Sequence, residues 1–401
     1  DATGAGNSVF DQDSNIDVSQ NIFADNDCNA SGNAAFCESG LEDETTEVKV
    51  NFIERISQDS TSELTEDAFS NQLNEVSIDQ NAELINTCDE SGTGLHDGTC
   101  INGVDDVVQN IVGPINQFSE ANGEDSAIIS ETSNKLDIVQ DLQTINDCDE
   151  SDAGANLVHC HNEAFNRILT VTQSNHATGL GDDDIDQDNF VSINQNLQSK
   201  NDCDESGAGD NNGVCEILAS NTIDSITQSN AADGDVDDIF VQDNILAINQ
   251  DLVAENDCDE FGTGDNLVSC SIDVSNDIGS IEQTITDDDP IATNSLTINQ
   301  NLQAKNNCDD STSGDNTKIC SIDLHLVVPN LDQEGGEQLT INQNDVAINT
   351  CPGGGTCTIT RTTTFDPNNP GVPIITSFAA PLFSLTSSSS DEKNTNEEDT
   401  Q

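Results

Sequence analysis

Residues 193–197 read Ile193-Asn194-Gln195-Asn196-Leu197, and the pattern returns as Ile248-Asn249-Gln250-Asp251-Leu252 and Ile298-Asn299-Gln300-Asn301-Leu302. Apolar residues two and four apart describe a strand that turns one face to a core. Working outward, each string meets a cysteine eight residues after its glutamine: Cys203, Cys258 and Cys308. Aligning the whole chain on such cysteines extends the pattern to seven units. A glutamine falls at the same place in each: Gln20, Gln80, Gln140, Gln195, Gln250, Gln300 and Gln343. A β-branched aliphatic precedes each by two, from Val18 and Ile78 to Ile298 and Ile341. Asn or Asp follows the glutamine every time, and an asparagine precedes the cysteine by two, as Asn26, Asn86 and Asn146 do. The cysteines recur at steps of 60, 60, 55, 55, 50 and 43 residues, a period that marks a solenoid or a tandem array.

A second strand of the same kind follows each of the first six cysteine loops, around Gln58, Gln117, Gln173, Gln228, Gln283 and Gln333. A fainter third one precedes the first in several units, as in Asp186-Gln187-Asp188-Asn189-Phe190. Each unit therefore has room for two or three strands of about 5–6 residues, the common strand length. Gly, Asn, Asp, Ser and Thr are dense and no 3.6-residue apolar period is sustained, so helices are not expected. The fold class expected is all-β, a parallel β-solenoid of about seven units; the alternative is a string of small β-sandwich modules. In a solenoid, equivalent glutamines stack and their amides hydrogen-bond from rung to rung as a ladder. The competing reading of the glutamines is a repeating but solvated sheet face.

The chain has 401 residues, with 77 acidic against 9 basic ones and a formal net charge of −68. That charge repels phosphate backbones and anionic lipid heads, which argues against nucleic-acid partners and membrane-surface binding. No apolar run approaches the roughly 20 residues of a membrane span, so no membrane insertion is expected. Beginning at Asp1 and lacking methionine, the chain is expected to be a mature form freed of its signal peptide. Apolar residues make up 33% and aromatics 3%, too little for a thick core. Periodicity and cysteine must then supply the order.

The 14 cysteines fall into local pairs: Cys28 with Cys37, Cys88 with Cys100, Cys148 with Cys160, Cys203 with Cys215, Cys258 with Cys270, Cys308 with Cys320, and Cys351 with Cys357. Five share a spacing of 12 across turn-rich loops. There is no Cys-x-x-Cys, so seven disulfides in an oxidising compartment are expected rather than zinc or redox sites. The asparagine before each cysteine is read as fixing a turn through its own side chain. Asn29-Ala30-Ser31 is a complete glycosylation sequon, which makes Asn29 the candidate acceptor.

Acidic clusters recur between units. Asp182 with Asp184, Asp235 with Asp237, and Asp287 with Asp289 are the candidate metal ligands, and calcium is the cation their oxygens suit. The competing reading is a solvated, salt-adapted surface; no cofactor is required. Either way, cations must screen this charge before chains can associate. Catalysis is not expected and no catalytic residue is assigned. Paired carboxylates are too abundant to single out, none of the five histidines recurs in register, and no phosphate-cradling glycine loop occurs.

In its Gln/Asn-bearing strand units, such as Ile298-Asn299-Gln300-Asn301-Leu302, the chain resembles curli-type fibre subunits, and more loosely the repeat proteins of bacterial and archaeal surface filaments. The resemblance covers about residues 10–345. The units here are more than twice as long and each carries a cysteine pair. It implies a secreted structural subunit that polymerises with identical subunits. The chain divides into an N-terminal segment (1–16), the repeat region (17–357), a Pro-punctuated apolar segment (358–385) and a flexible acidic, Ser-rich tail (386–401). The third part, with Pro367, Pro370, Pro373 and Pro381, either caps its own last rung or adds a strand to a neighbouring subunit. The function expected is an extracellular filament or surface-layer subunit; the alternative is a monomeric acidic adhesin or calcium-binding protein of the cell surface.

Overall fold

The computed structural model describes residues 2–5, 9–30, 35–39, 51–65, 69–92, 96–102, 108–124, 128–152, 156–179, 184–207, 210–234, 239–262, 264–286, 291–308, 317–334, 337–351, 355–367, 375–378 and 385–386. The chain is a parallel β-solenoid built from two sheets. Sheet 1 stacks, in order, Val9–Ala30, Phe69–Gly92, Ile128–Asp152, Asp184–Gly207, Ile239–Asp257, Ile291–Asn307, Glu337–Thr350 and Ile375–Phe378. Sheet 2 stacks Ala2–Ala5, Ile56–Thr65, Ile115–Glu124, Asn156–Thr178, Asn211–Asp233, Leu267–Thr286, Thr317–Glu334 and Thr356–Pro367. Shorter strands, Ala35–Ser39, Asn51–Ile53, His96–Asn102 and Val108–Val112, extend sheet 2 in the first two units. Each unit thus contributes to both sheets, with one long strand in sheet 1, and the two sheets face one another through side chains.

Stacking is in register. Ile138 pairs with Ile193, Gln140 with Gln195 and Cys148 with Cys203; Ile193, Gln195 and Leu197 pair in turn with Ile248, Gln250 and Leu252. The strands are far longer than the few residues expected from local patterning. Asp184–Gly207 runs for 24 residues and absorbs both Asp186–Phe190 and Ile193–Leu197, so the faint third strand is the beginning of the first. The reason lies in what the inward positions hold. Ile185, Gln187, Asn189, Val191, Ile193, Gln195, Leu197, Ser199, Asn201 and Cys203 all point into the core and are buried. A period-2 strand persists through polar positions when each buried amide finds a partner.

Sheet 2 breaks this period once in each of the four units from Ile168 to Leu331. Inward Ile223 is followed by Ile226 three residues on, so Asp224 and Ser225 both face outward; Ile278 and Ile281 repeat the slip one rung away. Beside it the backbone carbonyls of Arg167, Thr222 and Asp277 accept hydrogen bonds from sheet 1 amides Gln140, Gln195 and Gln250.

The core is a series of strips running along the axis. At one edge lies a column of cystines. Next come the buried asparagines Asn146, Asn201 and Asn256, then an apolar strip containing Leu197, Leu252 and Ala219. Beyond the glutamines is the widest apolar strip, with Val191, Ile193, Ile223 and Ile226. A further amide strip and a small cluster of Leu64, Ala177, Ile185 and Phe240 close the far edge.

The repeat region begins earlier than its sequence boundary. Residues 9–16, set apart above as an N-terminal segment, pair in register with Phe69–Val76. Residues 358–367 likewise belong to the last sheet 2 strand, in which Cys357 pairs with Cys320. The tail beyond Thr386 lies outside the described residues.

Candidate functional site

The seven glutamines chosen from sequence form one uninterrupted ladder. Gln80 Nε2 donates to Gln20 Oε1 at 2.8 Å, and Gln140, Gln195, Gln250, Gln300 and Gln343 each donate to their predecessor at 2.8–2.9 Å. Gln80 through Gln300 are fully buried, which rules against a solvated face. Each donor also reaches across the core; Gln195 Nε2 meets the carbonyls of Asn166 and Thr222 at 3.3 and 3.2 Å. Amide stacking and sheet-to-sheet bridging therefore use the same group. Sheet 2 carries a matching ladder, in which Gln117, Gln173, Gln228 and Gln283 donate to Gln58, Gln117, Gln173 and Gln228.

The asparagines before the cysteines do not make turns. Asn146 donates to Asn201 Oδ1 at 3.2 Å and Asn201 to Asn256 at 3.1 Å; Asn201 Nδ2 also reaches the Glu216 carbonyl on the facing sheet at 2.9 Å. They lie inside long strands, where side chains stack instead of curling back on their own backbone. Two further asparagine columns escaped the sequence reading. Asn51, Asn110, Asn166, Asn221 and Asn276 form one, and Asn74, Asn134, Asn189, Asn244 and Asn294 the other. Their signal was present: they precede the sheet 2 glutamines by seven residues and the sheet 1 glutamines by six, in five units each.

Five disulfides join Cys148–Cys160, Cys203–Cys215, Cys258–Cys270, Cys308–Cys320 and Cys351–Cys357, each closing the arc between the two strands of its own unit. Cys88 is buried and disulfide-bonded; the side chains of Cys28, Cys37 and Cys100 lie outside the described residues. So do those of Asn29 and of the candidate metal ligands Asp182, Asp184, Asp235, Asp237, Asp287 and Asp289.

Outward positions stack as strictly as inward ones. Asp147, Asp202 and Asp257 fall in one column, and Asp149 and Asp204 in another. Burial and then the carboxylates of Asp202, Asp259, Asp257 and Asp147 push Asp204 up to about 6. Asp188 is raised to about 6 by burial, followed by Asp186, Asp243 and Glu131. Other columns relieve the repulsion. Asn196 donates to Asp141 and Asn301 to Asp251, both at 2.6 Å, while Lys135 and Arg167 reach Glu75 and Asp224 one rung away. A groove of about 660 Å³ runs along this face past Phe23, Asn81, Asp141, Asn196 and Asp251.

The two ends of the stack differ. Val9–Ala30 has Phe69–Gly92 on one side and no described strand on the other. Its inward Ile16, Val18, Ile22 and Ala24 are only partly buried, whereas Val76, Ile78, Ala82 and Leu84 on the next rung are 0–4% exposed. At the opposite end Ile375–Phe378 pairs with Thr340–Gln343, and Leu385–Thr386 with Asn349–Thr350.

Comparison with protein-family models, curated proteins and solved structures finds no match to this chain.

Proposed function

We propose that this chain is a secreted structural subunit that self-assembles with identical subunits into an extracellular filament or surface layer. The observation that carries the reading is the first rung. It offers a 22-residue strand edge and a row of half-buried core residues, in the pattern that every interior rung buries against its neighbour. Open parallel edges with amide columns are templates for another strand. The disulfides fit an oxidising environment, consistent with export. The net charge of −68 opposes lateral and axial contact alike, so assembly depends on screening by salt or divalent cations.

The second reading is a monomeric acidic adhesin or calcium-binding surface protein. It draws support from the crowded carboxylate columns around Asp188 and Asp204. Electron microscopy of the purified protein with and without calcium separates the two. Regular fibres of one rung spacing support the subunit; dispersed particles that bind calcium tightly overturn it in favour of the second.

A further inference from the structure

We infer that the C-terminal strand Ile375–Phe378 is a displaceable cap that blocks the face to which a second copy's first rung docks. The inference rests on the filament reading and specifies its joint and its control.

The docking face is the last rung, formed by Glu337–Thr350 in sheet 1 and Thr356–Pro367 in sheet 2. Its occupant is a second copy, because the columns of the first rung continue those of the last. Following the register from rung to rung, Ile341 shares a column with Val18, Gln343 with Gln20, and Asn349 with Asn26. Among the described residues the buried Gln343 Oε1 has no hydrogen-bond partner, whereas every earlier glutamine of this ladder accepts from its successor. Gln20 of an arriving copy, at the donor end of the same ladder, supplies the missing amide. The interface is the rung-to-rung interface already repeated inside the molecule.

Sheet 2 agrees with this fit. Pro367 falls in the column of Leu331, which descends to Ile56. Thr356–Pro367 therefore ends where Ile56–Thr65 begins. Ala2–Ala5, which covers Ser62–Thr65 on the first rung, lies outside the columns that the last rung presents.

What stands in the way is Ile375–Phe378. It occupies the edge of Thr340–Gln343 and places Phe378 at the ladder position where a glutamine would continue it. A phenylalanine cannot pass on the amide chain. The cap is also short: four residues here and two at Leu385–Thr386, against 14 in the strand it covers. Pro370, Pro373 and Pro381 flank it and limit its extension, since proline cannot donate to a ladder. A strand held by so few backbone bonds yields to a 22-residue one that matches every column.

The test compares the full chain with a chain ending at Pro367 and with Thr376→Pro, which keeps the segment but breaks its pairing. Fibre growth is followed by light scattering and electron microscopy in calcium-containing buffer. Circular dichroism and disulfide mapping verify that each monomer is folded. Expected are a critical concentration at least roughly ten-fold lower for both variants, and slowed growth of the truncated chain when a peptide of residues 368–386 is added. Equal growth of all three overturns the cap and leaves the filament reading standing. Failure of all three to form fibres overturns both.

Discussion

Gln250 Nε2 donates to Gln195 Oε1 at 2.9 Å across 55 residues of chain. This single bond joins two turns of the solenoid, and it recurs with the same atoms from Gln20 to Gln343. An amide in a dry interior is tolerated because its own counterpart is always one rung away. Loss of an interior member leaves the amide oxygen of the preceding rung without its donor and takes one of the acceptors from the amide of the next rung.

Gln195→Ala is therefore expected to destabilise the fold by about 3 kcal/mol, combining a cavity with an unpaired Gln140 Oε1 and the loss of one bond each to Gln250, Asn166 and Thr222. Gln343→Ala removes one ladder bond at the end of the stack and is expected to cost about 1 kcal/mol. Denaturant titration of the two variants checks the ranking; equal losses would contradict the ladder.

Removing the central disulfide by Cys203→Ala together with Cys215→Ala is expected to lower stability by roughly 2–3 kcal/mol, since it releases a 12-residue arc in the unfolded chain. The rung itself should survive, because Leu197, Ala219 and Asn201 still hold the two strands together beside the gap. Thermal melting with hydrogen exchange across residues 197–219 reads both effects.

Acid is expected to stabilise the molecule. Asp188 and Asp204 titrate near 6 when folded and near the ordinary 3.8 when unfolded, so between those values the folded state holds more protons. Stability contributed by their protonation is present below pH 3.8 and is lost as pH rises through about 6. Asp188→Asn should raise the melting temperature at pH 7.5 and flatten its rise on acidification. After screening at these partly solvated sites the gain is about 1 kcal/mol. A melting temperature that falls between pH 6 and 4.5 in the wild-type chain would contradict the assignment.

Calcium or molar salt is expected to promote association, because end-to-end contact brings carboxylate columns of two copies within a Debye length. Light scattering at constant protein concentration should rise with ionic strength. It should respond to millimolar calcium well below the sodium needed for the same effect.

The units, the cystine pairing within a unit, the stacking of Ile193 on Ile248 and the glutamine ladder were all legible in the sequence. Each is a column, and a column in a parallel in-register stack is written directly as a repeat. Asn166 and Asn189 were missed for a different reason. They belong to columns as regular as the glutamines, but asparagine is so frequent in this chain that its phase was hidden. Strand length was underestimated because Asp186–Phe190 and Ile193–Leu197 were read as separate strands and Asn201 as a turn residue, although partners on the adjacent rung and facing sheet carry Gln187, Asn189 and Asn201 through one continuous core strand.

The amino-acid order by itself determined which residues stack on which, because the spacing between equivalent residues fixes the register of a parallel solenoid. Only the three-dimensional arrangement decided how the two sheets meet, where sheet 2 slips between Ile223 and Ile226, and which end is covered. Those outcomes depend on facing carbonyls and on contacts between segments that share no repeat. Ile375–Phe378 and Thr340–Gln343 are one such pair: no spacing in the chain announces that they touch.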